Sequence, residues 1–181
     1  MLTDFQQRKV TRLFHLLDND NSGFVDAADL DRVARNLAGA IGAAPGSRPY
    51  ATLQARYGGL WRVVADADGN HDGRVTLREW LKANDEMLDS PARYDEVIGQ
   101  LVDQVFDLLD ADHDGSVTVG EYSSWLAASH VTADVAEEAF RMIDLNADGI
   151  ISKDELTHIF LDFYYSDDPK APGNWLFGGP V

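Results

Sequence analysis

The chain reads as an all-α protein: four helix–loop–helix units in two paired lobes forming one compact domain, with short β-bridges between paired loops. Three observations predict this. First, four acidic, glycine-centred stretches recur along 181 residues: DNDNSGFVDAAD from Asp18, DGNHDGRVTLRE from Asp68, DADHDGSVTVGE from Asp110 and DLNADGIISKDE from Asp144. A repeat of this kind marks one supersecondary unit used several times. Second, apolar residues at helical spacing flank every stretch. Third, the eighth position of each is β-branched (Val25, Val75, Val117 and Ile151), which suits a strand. Paired loops are expected to place Val25 opposite Val75 and Val117 opposite Ile151.

The helices follow in order. Val10, Leu13, Phe14 and Leu17 form an i, i+3, i+4, i+7 set ahead of the first stretch. Thr3 with Gln6 offers that helix a capping box. Leu30, Val33, Ala34, Leu37 and Ile41 leave the first stretch, with a stop expected at Gly42 and GAAPGSRP read as a loop. Leu53, Tyr57, Leu60, Trp61 and Val64 enter the second stretch; Leu77, Trp80, Leu81 and Leu88 leave it. Ser90-Pro91 suggests an N-cap with Pro in the first turn, followed by Tyr94, Val97, Ile98, Leu101, Val102, Val105 and Leu109. Tyr122, Trp125 and Leu126 leave the third stretch. Thr132 is placed to cap a helix through Val135, Ala136, Ala139, Phe140 and Ile143. Leu156, Ile159, Phe160 and Phe163 form the last stripe.

Composition narrows the function. The formal net charge is −16, from 31 acids and 15 bases. Of the acids, 24 are Asp and 7 are Glu. Asp favours caps and loops over helix interiors, so the charge is expected in the loops. The four 12-residue stretches carry a net −12, against −4 for the rest. Such acidity excludes phosphate-backbone binding, which needs clustered Lys and Arg. With 4 Lys and no polybasic run, anionic membranes are not a partner. No apolar run approaches the ~18 residues that span a bilayer. The opening MLTDFQQRKV lacks a signal-peptide core, which predicts a cytoplasmic protein. There is no Cys, so disulfides and thiolate metal sites are excluded.

The stretches themselves carry chemistry. A hard cation such as Ca²⁺ takes about six to eight oxygens, which a 12-residue loop supplies from positions 1, 3, 5, 7, 9 and 12. Position 7 gives its carbonyl, position 12 a bidentate carboxylate, and position 6 is a turn-forming Gly. The first loop supplies Asp18, Asp20, Ser22, Phe24, Asp26 and Asp29. The second supplies Asp68, Asn70, Asp72, Arg74, Thr76 and Glu79. The third supplies Asp110, Asp112, Asp114, Ser116, Thr118 and Glu121. The fourth supplies Asp144, Asn146, Asp148, Ile150, Ser152 and Glu155. Loops two, three and four fit D-x-[DN]-x-[DN]-G-x₅-E in full. The first ends on Asp29, one methylene shorter than Glu, which favours the compact shell of Mg²⁺. Up to four Ca²⁺ are expected, with Mg²⁺ competing most in loop 18–29. Loop three, with four carboxylates, ranks among the tightest. Loop two, with Arg74 and Arg78 opposing a cation, ranks below loop four.

These loops are the EF-hand pattern, and four of them in this length resemble the sarcoplasmic calcium-binding protein family with its calerythrin-like members. The wide gap between the first two loops, Asp29 at position 12 and the closing DDPKAPGNWLFGGPV add to the likeness. The resemblance implies a two-lobed fold, Ca²⁺/Mg²⁺ buffering and an inward-packed C-terminal aromatic segment. Residues 1–89 are expected as an N-terminal EF-hand pair, 90–166 as a C-terminal pair, and 167–181 as a segment packing back on the lobes.

A sensor would expose a Met-rich groove to a target helix. Here only Met87 and Met142 follow the initiator, and Trp175, Leu176 and Phe177 offer an internal plug. A buffer is therefore the first reading and a target-binding sensor the alternative. A hydrophobic small-molecule carrier of photoprotein or luciferin-binding type, using the Trp and Tyr set with His158, is a minor one. No protein target is required, and a monomer is expected. No enzyme is expected, because the five His show no zinc spacing and a saturated Ca²⁺ leaves no open position.

Overall fold

In the computed structural model, residues 1–179 are described, apart from the side chains of 91–96. Tyr94 of the expected fifth stripe lies outside the described side chains. Helix α1 (Asp4–Leu17) leads through loop one to β1 (Phe24–Val25) and α2 (Ala27–Ala40). Helix α3 (Arg48–Val64), a short 3₁₀ turn (Ala65–Ala67), β2 (Val75–Thr76) and α4 (Leu77–Leu88) build the second unit. Then come α5 (Pro91–Leu109), β3 (Val117–Thr118) and α6 (Val119–Ala127). The last unit is α7 (Ala133–Ile143), β4 (Ile150–Ile151) and α8 (Lys153–Tyr165), followed by a 3₁₀ turn (Pro172–Trp175).

The strands pair as the β-branched positions predict. β1 runs antiparallel to β2 with Val25 opposite Val75, and β3 to β4 with Val117 opposite Ile151. All four side chains are fully buried, so each bridge also anchors its loops to the core. Thr3 and Gln6 form the expected capping box on α1, and Gly42 follows the end of α2 in a left-handed conformation.

Three local expectations need correction. The connection GAAPGSRP is shorter than its composition suggests: Ser47 caps α3 and Arg48-Pro49 lie in its first turn. Proline is preset for a first turn, so it opens this helix instead of extending the loop. Ser90 and Thr132 stand at N-cap positions, but neither side chain makes the capping bond.

The helices pack as a chain of neighbours: α2 on α3, α3 on α5, α5 on α8, and α1 on both α4 and α8. The C-terminal segment closes this arrangement. Leu176 is fully buried, and the Phe177 ring lies 5.1 Å from Phe163, 6.2 Å from Phe160 and 6.0 Å from Trp125. The buried Tyr122 hydroxyl donates to the Leu176 carbonyl at 2.8 Å. Arg12 on α1 donates to the carbonyls of Phe177, Gly178 and Gly179. Strong polar bonds thus accompany the apolar burial, and the segment is tied to both halves of the chain.

Lys9 makes a second tie between α1 and α8. Its Nζ donates to the carbonyl of Ser166 at 2.7 Å and lies 5.5 Å from the Phe163 ring. Burial lowers the ammonium from 10.5 to about 8. The unfolded chain keeps this proton up to the higher value, so it binds more protons between the two. Stability therefore rises with pH from about 8 towards 10.5. Lys9→Met is expected to remove that rise, read as the pH dependence of the urea midpoint in saturating calcium.

Candidate metal centres

Each loop starts where one helix ends and finishes inside the next. Asp18, Asp110 and Asp144 are the C-caps of α1, α5 and α7, and Asp68 caps the 3₁₀ turn after α3. At the other end, position 9 is the N-cap of the exit helix and position 12 its third residue. Asp26 with Asp29, Thr76 with Glu79, Thr118 with Glu121 and Ser152 with Glu155 all form reciprocal capping boxes. A capping box needs a hydroxyl or carboxylate followed three residues later by an acid or amide. The same two residues are the ninth and twelfth positions of the ligand pattern. Helix initiation and the placement of the candidate ligands are therefore one local event.

Backbone turns set the remaining positions. Gly23, Gly73, Gly115 and Gly149 have φ of +88°, +83°, +87° and +87°. Each amide donates to the position-1 carboxylate: Gly23 to Asp18 at 2.9 Å, Gly73 to Asp68 at 2.9 Å, Gly115 to Asp110 at 3.1 Å and Gly149 to Asp144 at 2.9 Å. Position 4 is also left-handed in all four loops, at Asn21, His71, His113 and Ala147. Sequence reasoning missed this; Asn21, His71 and His113 were the available signals, because Asn and His are enriched in this conformation. Positions 3 and 5 make side-chain-closed turns. Asn70 accepts from Asp72 N–H at 2.9 Å, and Asn146 from Asp148 N–H at 2.8 Å.

The donor sets fit a hard divalent cation. Carboxylate oxygens of Asp18, Asp20 and Asp29 lie within 4.8 Å of one another, as do those of Asp110, Asp112 and Asp114. Oxygens about 2.4 Å from one centre are at most about 5 Å apart, so both clusters have calcium dimensions. In loop four, Asp144 Oδ1 is buried with no hydrogen-bond partner. An orphaned carboxylate oxygen is costly unless a cation meets it. In loop three, Glu121 reaches back across the loop, its Oε1 accepting from Ala111 N–H at 2.9 Å. Glu155 does the same to Asn146 N–H at 3.4 Å.

Electrostatics separate the loops. Hydrogen bonds from Thr76 hold Glu79 below the usual carboxylate range. Glu121 is also lowered: burial opposes ionisation, but the N–H and hydroxyl of Thr118 and the Ala111 N–H outweigh it. Asp29 goes the other way, raised first by burial and then by Asp20 and Asp26 beside it. Arg74 lies with its guanidinium carbon 4.4 Å from the Phe24 ring centroid, across the bridge from its own loop. That stack was not legible from spacing alone. Arg32, also unforeseen, reaches into loop one; a basic residue three beyond Asp29 on a helix was the signal.

Comparisons with known proteins agree with this geometry. Residues 100–161 match the EF-hand domain pair and residues 10–34 match the EF hand family. Calerythrin of Saccharopolyspora erythraea is 28% identical over 168 residues, covering 91% of this chain and 95% of calerythrin. Sarcoplasmic calcium-binding protein 1 of Astacus leptodactylus is 28% identical, covering 91% of this chain and 90% of its own length. Among solved structures, a Streptomyces coelicolor calcium-binding protein superposes with a TM-score of 0.71 at 27% identity, covering 88% of this chain and 97% of that one. The coelenterazine-binding protein of Renilla muelleri gives 0.81 at 23% identity, over 98% of this chain and 99% of that one, a likeness of fold.

Proposed function

We propose that this calcium-binding EF-hand protein, related to calerythrin and the sarcoplasmic calcium-binding proteins, is a Ca²⁺/Mg²⁺ buffer. The observation that carries the reading is the C-terminal plug. A sensor needs an apolar groove that opens to a target. Here Leu176 and Phe177 occupy the interior against Trp125, Phe160 and Phe163. Of the two methionines that follow the initiator, Met87 is buried and Met142 is exposed, so they do not make a Met-rich groove.

In this reading the ligands are the side chains at positions 1, 3, 5, 9 and 12 and the carbonyl at position 7 of loops 18–29, 68–79, 110–121 and 144–155. The working units are 1–89 and 90–166, each with two loops joined by one bridge, and 167–181 as the plug, of which 180 and 181 lie outside the described residues. Four Ca²⁺ bind when all loops fill. Mg²⁺ competes best at loop 18–29, where Asp29 is too short for easy bidentate contact. Calcium, when bound, would supply charge compensation; Gly N–H groups hold one oxygen each of Asp18, Asp110 and Asp144, and of the three second oxygens that of Asp144 has no hydrogen-bond partner. No target protein is needed, and the place of action is the cytoplasm. No helix among the described residues is long and apolar enough to cross a membrane.

The carrier reading is not favoured. His158, the histidine it would use beside the Trp and Tyr set, is exposed on α8 with Nδ1 2.8 Å from the Asp154 carbonyl of its own helix. Hydrophobic-dye fluorescence decides between buffer and sensor. A buffer gives little dye response when calcium is added to the Mg²⁺-loaded chain. A large calcium-dependent rise defeats the buffer reading and favours the sensor.

A further inference from the structure

Loop one differs from the others in a residue outside its ligand set. Arg32 stands on α2, three residues beyond position 12. Its Nη1 donates to Asp29 Oδ1 at 3.0 Å and its Nη2 to Asp20 Oδ2 at 3.1 Å. One guanidinium thus joins the carboxylates of positions 3 and 12. The equivalent residues elsewhere are Lys82, Ser124 and His158, and each is engaged on its own helix. Lys82 Nζ lies 3.6 Å from Glu86, Ser124 Oγ donates to the Gly120 carbonyl at 2.8 Å, and His158 Nδ1 faces the Asp154 carbonyl at 2.8 Å.

We propose that Arg32 is an internal counter-ion of the first loop, competing with Ca²⁺ for Asp20 and Asp29 and making this loop the last to fill. The proposal rests on the reading of loop one as a cation site. Three carboxylates within 4.8 Å repel one another unless a positive charge lies among them. Asp29 has a side chain only 2% exposed, so it cannot rely on water. Arg32 answers both needs in the metal-free chain. A guanidinium stays charged at any accessible pH, so only displacement removes it. A bound calcium ion would draw on the same carboxylates, and a guanidinium on Asp29 Oδ1 and Asp20 Oδ2 competes with it for them. Even swung aside, a unit charge about 6 Å from a divalent ion in water weakens binding roughly tenfold. Arg32 therefore sets the affinity of this loop without being a ligand, and it keeps the loop assembled when calcium is low.

The four loop glycines give a separate reading for each site, because each amide donates to its own position-1 carboxylate. Amide NMR of the full metal-free chain, titrated with CaCl₂, follows them one by one. Gly23 should shift last. In Arg32→Gln the Gly23 midpoint should fall about tenfold in calcium, with Gly115 and Gly149 unmoved, and the metal-free chain should melt at a lower temperature. Arg32→Lys keeps the charge but loses the fork, and should fall between the two; it serves if the Gln variant does not fold without metal. An unchanged or higher Gly23 midpoint in both variants overturns the proposal, as does Gly23 shifting first in the unaltered chain. If Gly23 never shifts, with or without Arg32, while the other three do, loop one is no calcium site; the proposal and the four-ion count then fall together, and the calcium reading of the other three loops stands. If none of the four shifts, the calcium reading itself falls.

Discussion

Glu121→Gln weakens calcium binding at the third loop by about a hundredfold or more and leaves the helices in place. Glu121 has two roles that charge separates. As the third residue of α6 it accepts the Thr118 N–H and hydroxyl, both at 2.8 Å. A glutamine carbonyl can still accept those bonds, so the cap survives. What glutamine lacks is the second carboxylate oxygen and the negative charge. One unit charge about 3 Å from a divalent ion is worth on the order of a hundredfold in affinity even with the screening of bulk water. A calcium titration followed at Gly115 measures the loss, with circular dichroism confirming the helices. A change under about tenfold would mean that Glu121 is a cap and not a ligand.

Gly173→Ala costs about 2–4 kcal/mol of stability, or frees the C-terminal segment altogether. A Cβ at this position would lie 2.4 Å from the Phe163 amide nitrogen and 2.8 Å from the Ile159 carbonyl oxygen. Both are backbone atoms inside α8, and neither can turn aside as a side chain could. Gly173 N–H also donates to Asp162 Oδ2 at 2.7 Å, so the close approach is held by a charge-assisted bond. The expected drop in melting temperature is roughly 5–15 °C for a chain of this size. The buried contacts of Leu176 and Phe177 depend on that approach, so dye binding should rise in the same variant. Unchanged melting and dye binding would mean that the segment contributes nothing to the core.

Most of the fold was legible because one short pattern encodes several structural events. Positions 9 and 12 are at once an N-cap pair and a pair in the expected ligand pattern, so Thr118 and Glu121 announce both the start of α6 and its candidate metal loop. Position 8 announced the bridge, because Val25, Val75, Val117 and Ile151 are all β-branched, and the structure buries all four. Helix boundaries were less legible where proline is ambiguous. Pro49 suits a loop as well as a first turn, and only the Ser47 hydroxyl bond to Tyr50 N–H at 3.3 Å shows which one it serves.

What spacing hid is what depends on tertiary placement. Arg32 and Arg74 are both basic residues in or near acidic loops, and composition treats them alike. The structure sends Arg74 onto the Phe24 ring and Arg32 onto Asp20 and Asp29. The left-handed position 4 was hidden because Asn21, His71, His113 and Ala147 are three different residue types, although they share one backbone conformation. Arg12 was hidden because its carbonyl partners at Phe177, Gly178 and Gly179 lie at the far end of the chain.

The charge of the chain links these points. Of a net −16, the four loops hold −12 in 48 residues. Without cations those carboxylates repel one another and oppose the compact state. Calcium should then stabilise the fold by mass action, on top of the local hydrogen bonds. The most direct test of this account is the calorimetric count of calcium ions bound by the metal-free full chain. The account predicts four per chain, with the last the weakest; three or fewer at saturation would contradict it.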